Sequence, residues 1–369
     1  MDISLFGKYR GNHGPSRVTE GITRGLIEDG HDVTVYTYGD LDDSPAQGAK
    51  HIRIADMPES VRGWLNLYKQ VSRKVDQKEQ DVFHALERYP YGSDVRTVQW
   101  TSDMVTMWRR TGKGPSIRVL GGEVLLNYHS MQGARKAGVI IAQSPETVTQ
   151  MRQYWQLSPE RVIPLGIEEE FLSEPGLVHD PPRILIVGRL DLRKGQKRVL
   201  KYLDPSGNDY EVRIVGGKAN KEYAEMALDG WHDQYLGYLS DPELENEYEA
   251  ADIIIVPSYL ENFSMVGLEA LAKGSLLIIT SGCGLAQFDW ATDENGIFVV
   301  NDGREIVEVL NEIINEEEIS NRQQKAYAQA SKLRWSNICA EYVQIYKNVS
   351  NSRNYEMNDP RGSISAGSS

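Results

Sequence analysis

Short, continuously apolar runs recur along this chain, separated by segments of mixed polarity long enough to hold a helix. Ile3 to Phe6, Val33 to Thr37, Val82 to His84, Val95 to Gln99, Val139 to Ala142 and Val162 to Pro164 form one series. Ile184 to Val187, Val212 to Val215, Ile253 to Val256 and Leu276 to Ile279 form a second. Runs that are apolar at successive positions predict strands buried on both faces, which is the habit of parallel sheets. Punctuation between the runs predicts helices. Pro15 suits a first helical turn and Gly30 a stop, so a helix is expected from Pro15 to about Asp29. Another is expected from Pro145 to Tyr154, and a third starts with Asp241 as N-cap and Pro242 at its first position. From about Gly303 the pattern is helical to Asn348. The alternation predicts an α/β protein with two Rossmann-like, doubly wound parallel-sheet domains facing across a cleft.

The expected units are residues 1–170, a linker at 171–182 containing Pro175, Gly176, Pro181 and Pro182, and residues 183–334. Residues 351–369, rich in Ser, Asn, Gly and Asp, read as a disordered tail. A chain of 369 residues is too long for one ordinary α/β core and suits two. No apolar stretch approaches the roughly 20 residues of a membrane span. The first residues read as a strand and lack the basic start of a signal peptide. Two cysteines make neither a disulfide framework nor a metal cluster, so a cytoplasmic protein is expected. A net charge of -13 argues against general nucleic-acid binding.

Two strand-to-helix loops carry candidate chemistry. In the first, the strand ending at Val256-Pro257 leads to Glu261-Asn262-Phe263-Ser264-Met265-Val266-Gly267-Leu268-Glu269, two carboxylates around a polar turn and a helix start. Open α/β sheets bind ligands at the carboxyl ends of their strands, and free N–H groups near Ser264 to Val266 would face an anion. Alone, such a carboxylate pair is most often a solvated surface pair. In the second loop, Val187-Gly188-Arg189-Leu190-Asp191-Leu192-Arg193-Lys194-Gly195 combines glycines with three cations. Arg forks two hydrogen bonds onto a phosphate, Lys adds a point charge, and Gly188 admits close backbone approach. An ordinary basic loop would look the same. Together, two carboxylates and a cationic anion site suit a ligand rich in hydroxyls that also carries phosphate.

These motifs resemble the donor half of GT-B glycosyltransferases, in particular the retaining glycosyltransferase family 4, or glycosyl transferases group 1. Gly188, Arg189, Lys194 and Gly195 match the family's G-R-x4-K-G. Glu261-Asn262-Phe263-Ser264 with Glu269 matches its E-G-F-G-x4-E, Asn262 and Ser264 standing where glycines are commoner. Gly14-Pro15-Ser16-Arg17-Val18 resembles its first glycine-rich loop, and Ile163-Pro164-Leu165-Gly166-Ile167 its crossing between domains.

The resemblance implies a retaining, metal-independent hexosyltransferase. It would need no cofactor and would take a UDP- or GDP-sugar as donor substrate. Arg189 and Lys194 would stabilise the departing diphosphate, as preorganised cations do for developing charge. Glu261 would meet the donor sugar's hydroxyls, and Glu269 the ribose. Phe263, Ser264 and Met265 would offer amides, and Gly14 and Gly188 close approach. Gln99 stands where the family presents a donor-contacting histidine; it can hydrogen-bond a hydroxyl but carries no proton. Asp40-Leu41-Asp42-Asp43 reads as a polar turn and not as a metal site. Residues 335–350 would pack back on the N-terminal domain, with Trp335, Tyr342 and Tyr346 as anchors.

His84, at a strand end, reads as either a cleft residue or a structural one. Residues 104–118 hold Trp108, Arg109, Arg110, Lys113 and Arg118 and no acids. They suit either an anionic membrane surface beside a glycan or lipid-linked acceptor, or a solvated loop with a tucked Trp. Two other functions fit the pattern less well. A sugar-nucleotide epimerase would need acid–base groups that Gln99 does not supply. A non-catalytic glycosyltransferase-like subunit would not need Arg189, Lys194, Glu261 and Glu269 intact.

Overall fold

A computed structural model describes residues 1–9, 14–39, 48–76, 80–98, 117–206, 209–314 and 319–358. Among these residues thirteen strands form two parallel sheets. The first holds β1 (Asp2–Phe6), β2 (Asp32–Tyr38), β3 (Lys50–Ala55), β4 (Val82–Ala85), β5 (Val95–Val98), β6 (Val139–Ala142) and β7 (Arg161–Val162), in the order β3-β2-β1-β4-β5-β6-β7. The second holds β8 (Arg183–Val187), β9 (Glu211–Val215), β10 (Tyr235–Gly237), β11 (Ile253–Val256), β12 (Leu276–Thr280) and β13 (Ile297–Val300), in the order β10-β9-β8-β11-β12-β13. In each sheet the chain winds outward from its first strand and then reverses. A crevice therefore opens at the carboxyl ends of β1 and β4, and another at those of β8 and β11.

Three strands lie outside the expected series. β3 is an edge strand whose residues are half-buried or exposed, so it lacks a continuous apolar run. β10 has three residues and ends on a glycine, and β13 has an exposed residue among four. β7 ends at Val162 and not at Pro164. The helix expected from Asp241 is capped one residue earlier, by Ser240, whose N–H and hydroxyl donate to the Glu243 carboxylate at 2.8 and 2.6 Å. The bond from Ser240 N–H to the Glu243 side chain is the return half of a capping box, and Pro242 falls in the first turn. The helix opened by Pro145 is α-helical to Gln150 and continues as a π-turn over Met151–Trp155.

The helical stretch from Gly303 is three helices: Gly303–Ile313, Ile319–Ser331 and Trp335–Asn358. The last passes beyond residue 350, so residues 351–358 are helical and not a disordered tail. It lies against the helix Gly14–Glu28 of the first lobe. Gly21 and Gly25 admit it: a Cβ on Gly21 would stand 2.1 Å from Trp335, and one on Gly25 2.4 Å from Cys339 Sγ. At the hinge, Ile167 N–H donates to Leu333 O and Trp335 N–H to Ile167 O. One buried cluster runs through this hinge, from Ile3 and Val35 by way of Ile167 and Trp335 to Ile254, Leu268 and Ile279.

Candidate functional site

The loop after β11 and the helix Met265–Ala272 place the two carboxylates. Neither is a solvated surface acid: Glu261 is 9% exposed and Glu269 3%. Backbone hydrogen bonds clamp the loop to the segment after β12. Glu261 N–H donates to Gly282 O, Gly284 N–H to Glu261 O, and Leu285 N–H to Phe263 O. Gly284 is needed for that approach, since a Cβ there would meet Asn262 O at 1.8 Å. Ser264, buried, caps the helix by accepting from Gly267 N–H at 3.2 Å, and its φ is 120°. This is backbone that glycine adopts and other residues rarely do.

Each carboxylate is held by a cation. Lys194 Nζ donates to Glu261 Oε1 at 2.9 Å, and the Ser258 hydroxyl donates to the same oxygen. Burial pushes the Glu261 carboxyl up, but the Lys194 ammonium and the Ser258 hydroxyl outweigh it and hold the group below its ordinary value. Lys194 reaches it because Gly195, at φ 69°, turns the chain closely past Pro257 O. Arg189, on the same loop, has a largely exposed side chain whose guanidinium lies 3.6 Å from Asp191. Gly188, at φ 147°, packs beneath Lys194 and Gln196, and Gln196 donates to Gly188 O at 3.1 Å.

Glu269 faces the other way, toward the first lobe. Its Oε1 accepts from Arg17, on the helix Gly14–Glu28, and its Oε2 from the Tyr248 hydroxyl. The Glu269 carboxylate raises the Arg17 guanidinium above its ordinary value against the effect of burial; burial and then Glu269 push the Tyr248 phenol far up. A cavity of about 250 Å³ opens beside this trio, with Asp241, Leu244 and Met265 on the second lobe and Gly166, Phe171 and Trp335 at the hinge. Away from it, Gln287 of the second lobe donates to Glu146 of the first at 2.9 Å.

The structure thus gathers Lys194, Glu261, Phe263, Ser264, Met265 and Glu269, with Gly188 and Arg189 on the adjoining loop. Gly14 opens the first-lobe helix that carries Arg17. Gln99, Trp108, Arg109, Arg110 and Lys113 lie outside the described residues. His84 is not a cleft residue. It is fully buried, its Nδ1 is 2.6 Å from the Tyr346 hydroxyl and its Nε2 is 2.8 Å from Thr97 Oγ1. Burial, with Arg96 nearby, lowers its pKa to about 3, so it is neutral and ties the last helix to the first sheet. Ser258, Tyr248 and Arg17 were not singled out from the sequence. Arg17 belongs to the glycine-rich run Gly14 to Val18, and its signal was a lone cation one turn into a helix.

The chain matches known proteins along most of its length. The family described as "Glycosyl transferases group 1" matches residues 168–331, and "Glycosyl transferase 4-like domain" matches residues 13–166. An uncharacterized glycosyltransferase of Methanocaldococcus jannaschii is 24% identical, over 89% of this chain and 92% of that one. A D-inositol 3-phosphate glycosyltransferase of Thermobifida fusca is 30% identical, over 40% of each. Among solved structures, a sucrose-phosphate synthase from Thermosynechococcus elongatus superposes with a TM-score of 0.76 at 17% identity, covering 95% of this chain and 99% of that one. Anabaena HepE, solved with UDP and glucose, superposes with a TM-score of 0.66 at 17% identity, covering 96% and 100%.

Proposed function

This chain belongs to the glycosyl transferases group 1 and is a glycosyltransferase of the GT-B fold, and from that premise we propose that it moves a sugar from a nucleoside diphosphate sugar to an acceptor with retention and without a metal ion. The observation that carries the reading is the pairing of Lys194 with Glu261, 67 positions apart in sequence, at the carboxyl ends of β8 and β11. A sugar nucleotide offers hydroxyls to the carboxylates and phosphate oxygens to the cations. Lys194 and Arg189 stabilise the charge that develops on the leaving diphosphate, the task a divalent ion performs in other sites. Glu261 orients the donor sugar, and Glu269 accepts from the ribose. The amides of Phe263 to Met265 and the close approach at Gly14 and Gly188 complete the donor site, with Gln99 on the sugar. The neighbour crystallised with UDP-glucose supports a uridine nucleotide over a guanosine one.

The acceptor is glycan or lipid-linked and is met at the cytoplasmic membrane face. Support comes from the sequence Arg109, Arg110, Lys113 and Arg118, which leads into the helix Ile117–Arg135. That helix exposes Val124, Leu125 and Tyr128. Cations that precede exposed apolar residues in the sequence suit an anionic bilayer.

Calorimetric titration with UDP, GDP and ADP, followed by Lys194→Ala, tests the donor site. UDP should bind, and loss of a charge-assisted contact should weaken it by about 1.5–3 kcal/mol. Unchanged affinity in a folded variant would remove Lys194 from the site. Transfer from a UDP-sugar panel should persist in EDTA, and abolition restored by manganese would overturn metal independence.

A further inference from the structure

Both carboxylates of the donor loop are covered by cations, and the cations come from different lobes: Lys194 of the second holds Glu261, and Arg17 of the first holds Glu269. Both oxygens of Glu269 are engaged, by Arg17 and by Tyr248, and the carboxylate is 3% exposed. Each oxygen can accept a second hydrogen bond, but with the carboxylate 3% exposed ribose hydroxyls reach it only when one of these partners moves aside. Tyr248 is fully buried and Arg17 is not: its side chain is 39% exposed and lines the cavity beside Glu269. Arg17 is the partner free to leave. Once displaced it is a guanidinium beside a ribose, one ester linkage from the diphosphate that ribose carries. A free cation there meets phosphate oxygens in the fork geometry that guanidinium favours.

We propose that Arg17 is a donor-binding residue contributed by the N-terminal lobe, which exchanges Glu269 for the diphosphate when a nucleoside diphosphate sugar enters. The inference rests on the donor-site reading above. The exchange leaves every group hydrogen-bonded: hydroxyls replace the cation on Glu269, and phosphate replaces the carboxylate on Arg17. Lys194 and Glu261 exchange in the same sense on the other side, each cation turning from a carboxylate to phosphate. Because Arg17 reaches across the cleft, the exchange also makes donor occupancy a contact between lobes.

The test separates phosphate from nucleoside. UDP and uridine are titrated calorimetrically against wild type, Arg17→Met and Arg17→Lys, with thermal unfolding confirming folded protein. Arg17→Met should weaken UDP at least tenfold while uridine binds as well as before or more tightly, since Glu269 has lost its competitor. Arg17→Lys should recover part of the UDP affinity. Tighter binding of both ligands by Arg17→Met would show a latch that only competes, and would overturn the proposal. Equal weakening of both, or no change in either, would show a structural role and overturn it too. If wild type binds no UDP, GDP or ADP and Lys194→Ala changes nothing, the donor-site reading itself fails, an outcome distinct from these.

Discussion

Ser264 is held in a glycine conformation at the head of the helix that carries Glu269, with φ at 120°. Such strain costs on the order of 1–3 kcal/mol and persists where the surroundings over-determine it. Here the clamp of Gly282, Gly284 and Leu285 on the loop does so. The hydroxyl returns part of that cost by capping Gly267 N–H. The two contributions part under substitution. Ser264→Gly removes the strain and loses only a few tenths of a kcal/mol of capping, so it should stabilise the protein by about 1 kcal/mol. Ser264→Ala keeps the strain and loses the cap, and should destabilise by about 1 kcal/mol. Urea midpoints decide it, and a glycine variant less stable than the alanine variant would refute the strain. The carboxylates and Lys194 were legible in sequence because they sit at fixed offsets within two local motifs. Arg17 was named only as part of the run Gly14 to Val18, and its role was not legible because its partner is 252 positions away. His84 was legible only as an ambiguity, since a strand-end histidine reads the same whether it faces a cleft or a packed helix.

Between elements, the junction that decides the architecture is the contact of the helix Trp335–Asn358 with the helix Gly14–Glu28. Backbone close approach there needs glycine: Gly21→Ala would force a Cβ to 2.1 Å from the Trp335 ring. It should destabilise by about 1–3 kcal/mol, the usual cost of overpacking. Gly122→Ala is the control, within the helix Ile117–Arg135, where among the described residues a Cβ meets Val61 alone, at 3.6 Å. It should stabilise by about 0.5–1 kcal/mol through helix propensity. Equal effects from the two substitutions would contradict this account of the junction. His84 makes the same junction sensitive to acid. Its folded pKa of about 3 lies below the roughly 6.5 of an unfolded histidine. Below pH 6.5 the unfolded chain takes up a proton that the folded chain refuses, so stability present at neutral pH is lost as pH falls toward 3. By pH 5 the loss is about 2 kcal/mol. Denaturation midpoints from pH 7 to 5 should fall less steeply in His84→Gln, and parallel curves would exclude His84 from the response. Sequence periodicity found the central strands, whose burial on both faces makes them continuously apolar. It missed β3, β10 and β13 because edge and short strands carry mixed exposure, and it placed the end of the last helix too early because Ser350, Asn351 and Ser352 are helical but exposed or half-buried.

At the scale of the whole molecule, the two lobes are not independent beads on a linker. The chain leaves the second sheet and its helix Trp335–Asn358 returns to the first lobe, and Trp335 stands where that return begins, wedged between Gly21 and Gly166. The buried cluster continues through it from one sheet to the other, and the cleft adds Arg17 to Glu269 and Gln287 to Glu146. Separating the lobes would expose that shared core, so partial unfolding is unfavourable and the protein should melt in one calorimetric transition. Trp335→Ala removes the wedge at a cost of about 3–5 kcal/mol and leaves the cleft contacts and the backbone bonds at Ile167 to couple the lobes. Two resolved transitions are then expected. Added UDP identifies them, since a ligand bound only by the folded state stabilises what it binds by about 2.7 kcal/mol at a hundredfold excess over Kd. In wild type, UDP should move the single transition as a whole. In Trp335→Ala it should move the transition of the lobe that carries Lys194, Glu261 and Glu269, and shift the other only to the extent that Arg17 reaches the ligand. A single transition in the variant, lowered but undivided, would show that the remaining contacts couple the lobes and that Trp335 contributes packing without holding the molecule together.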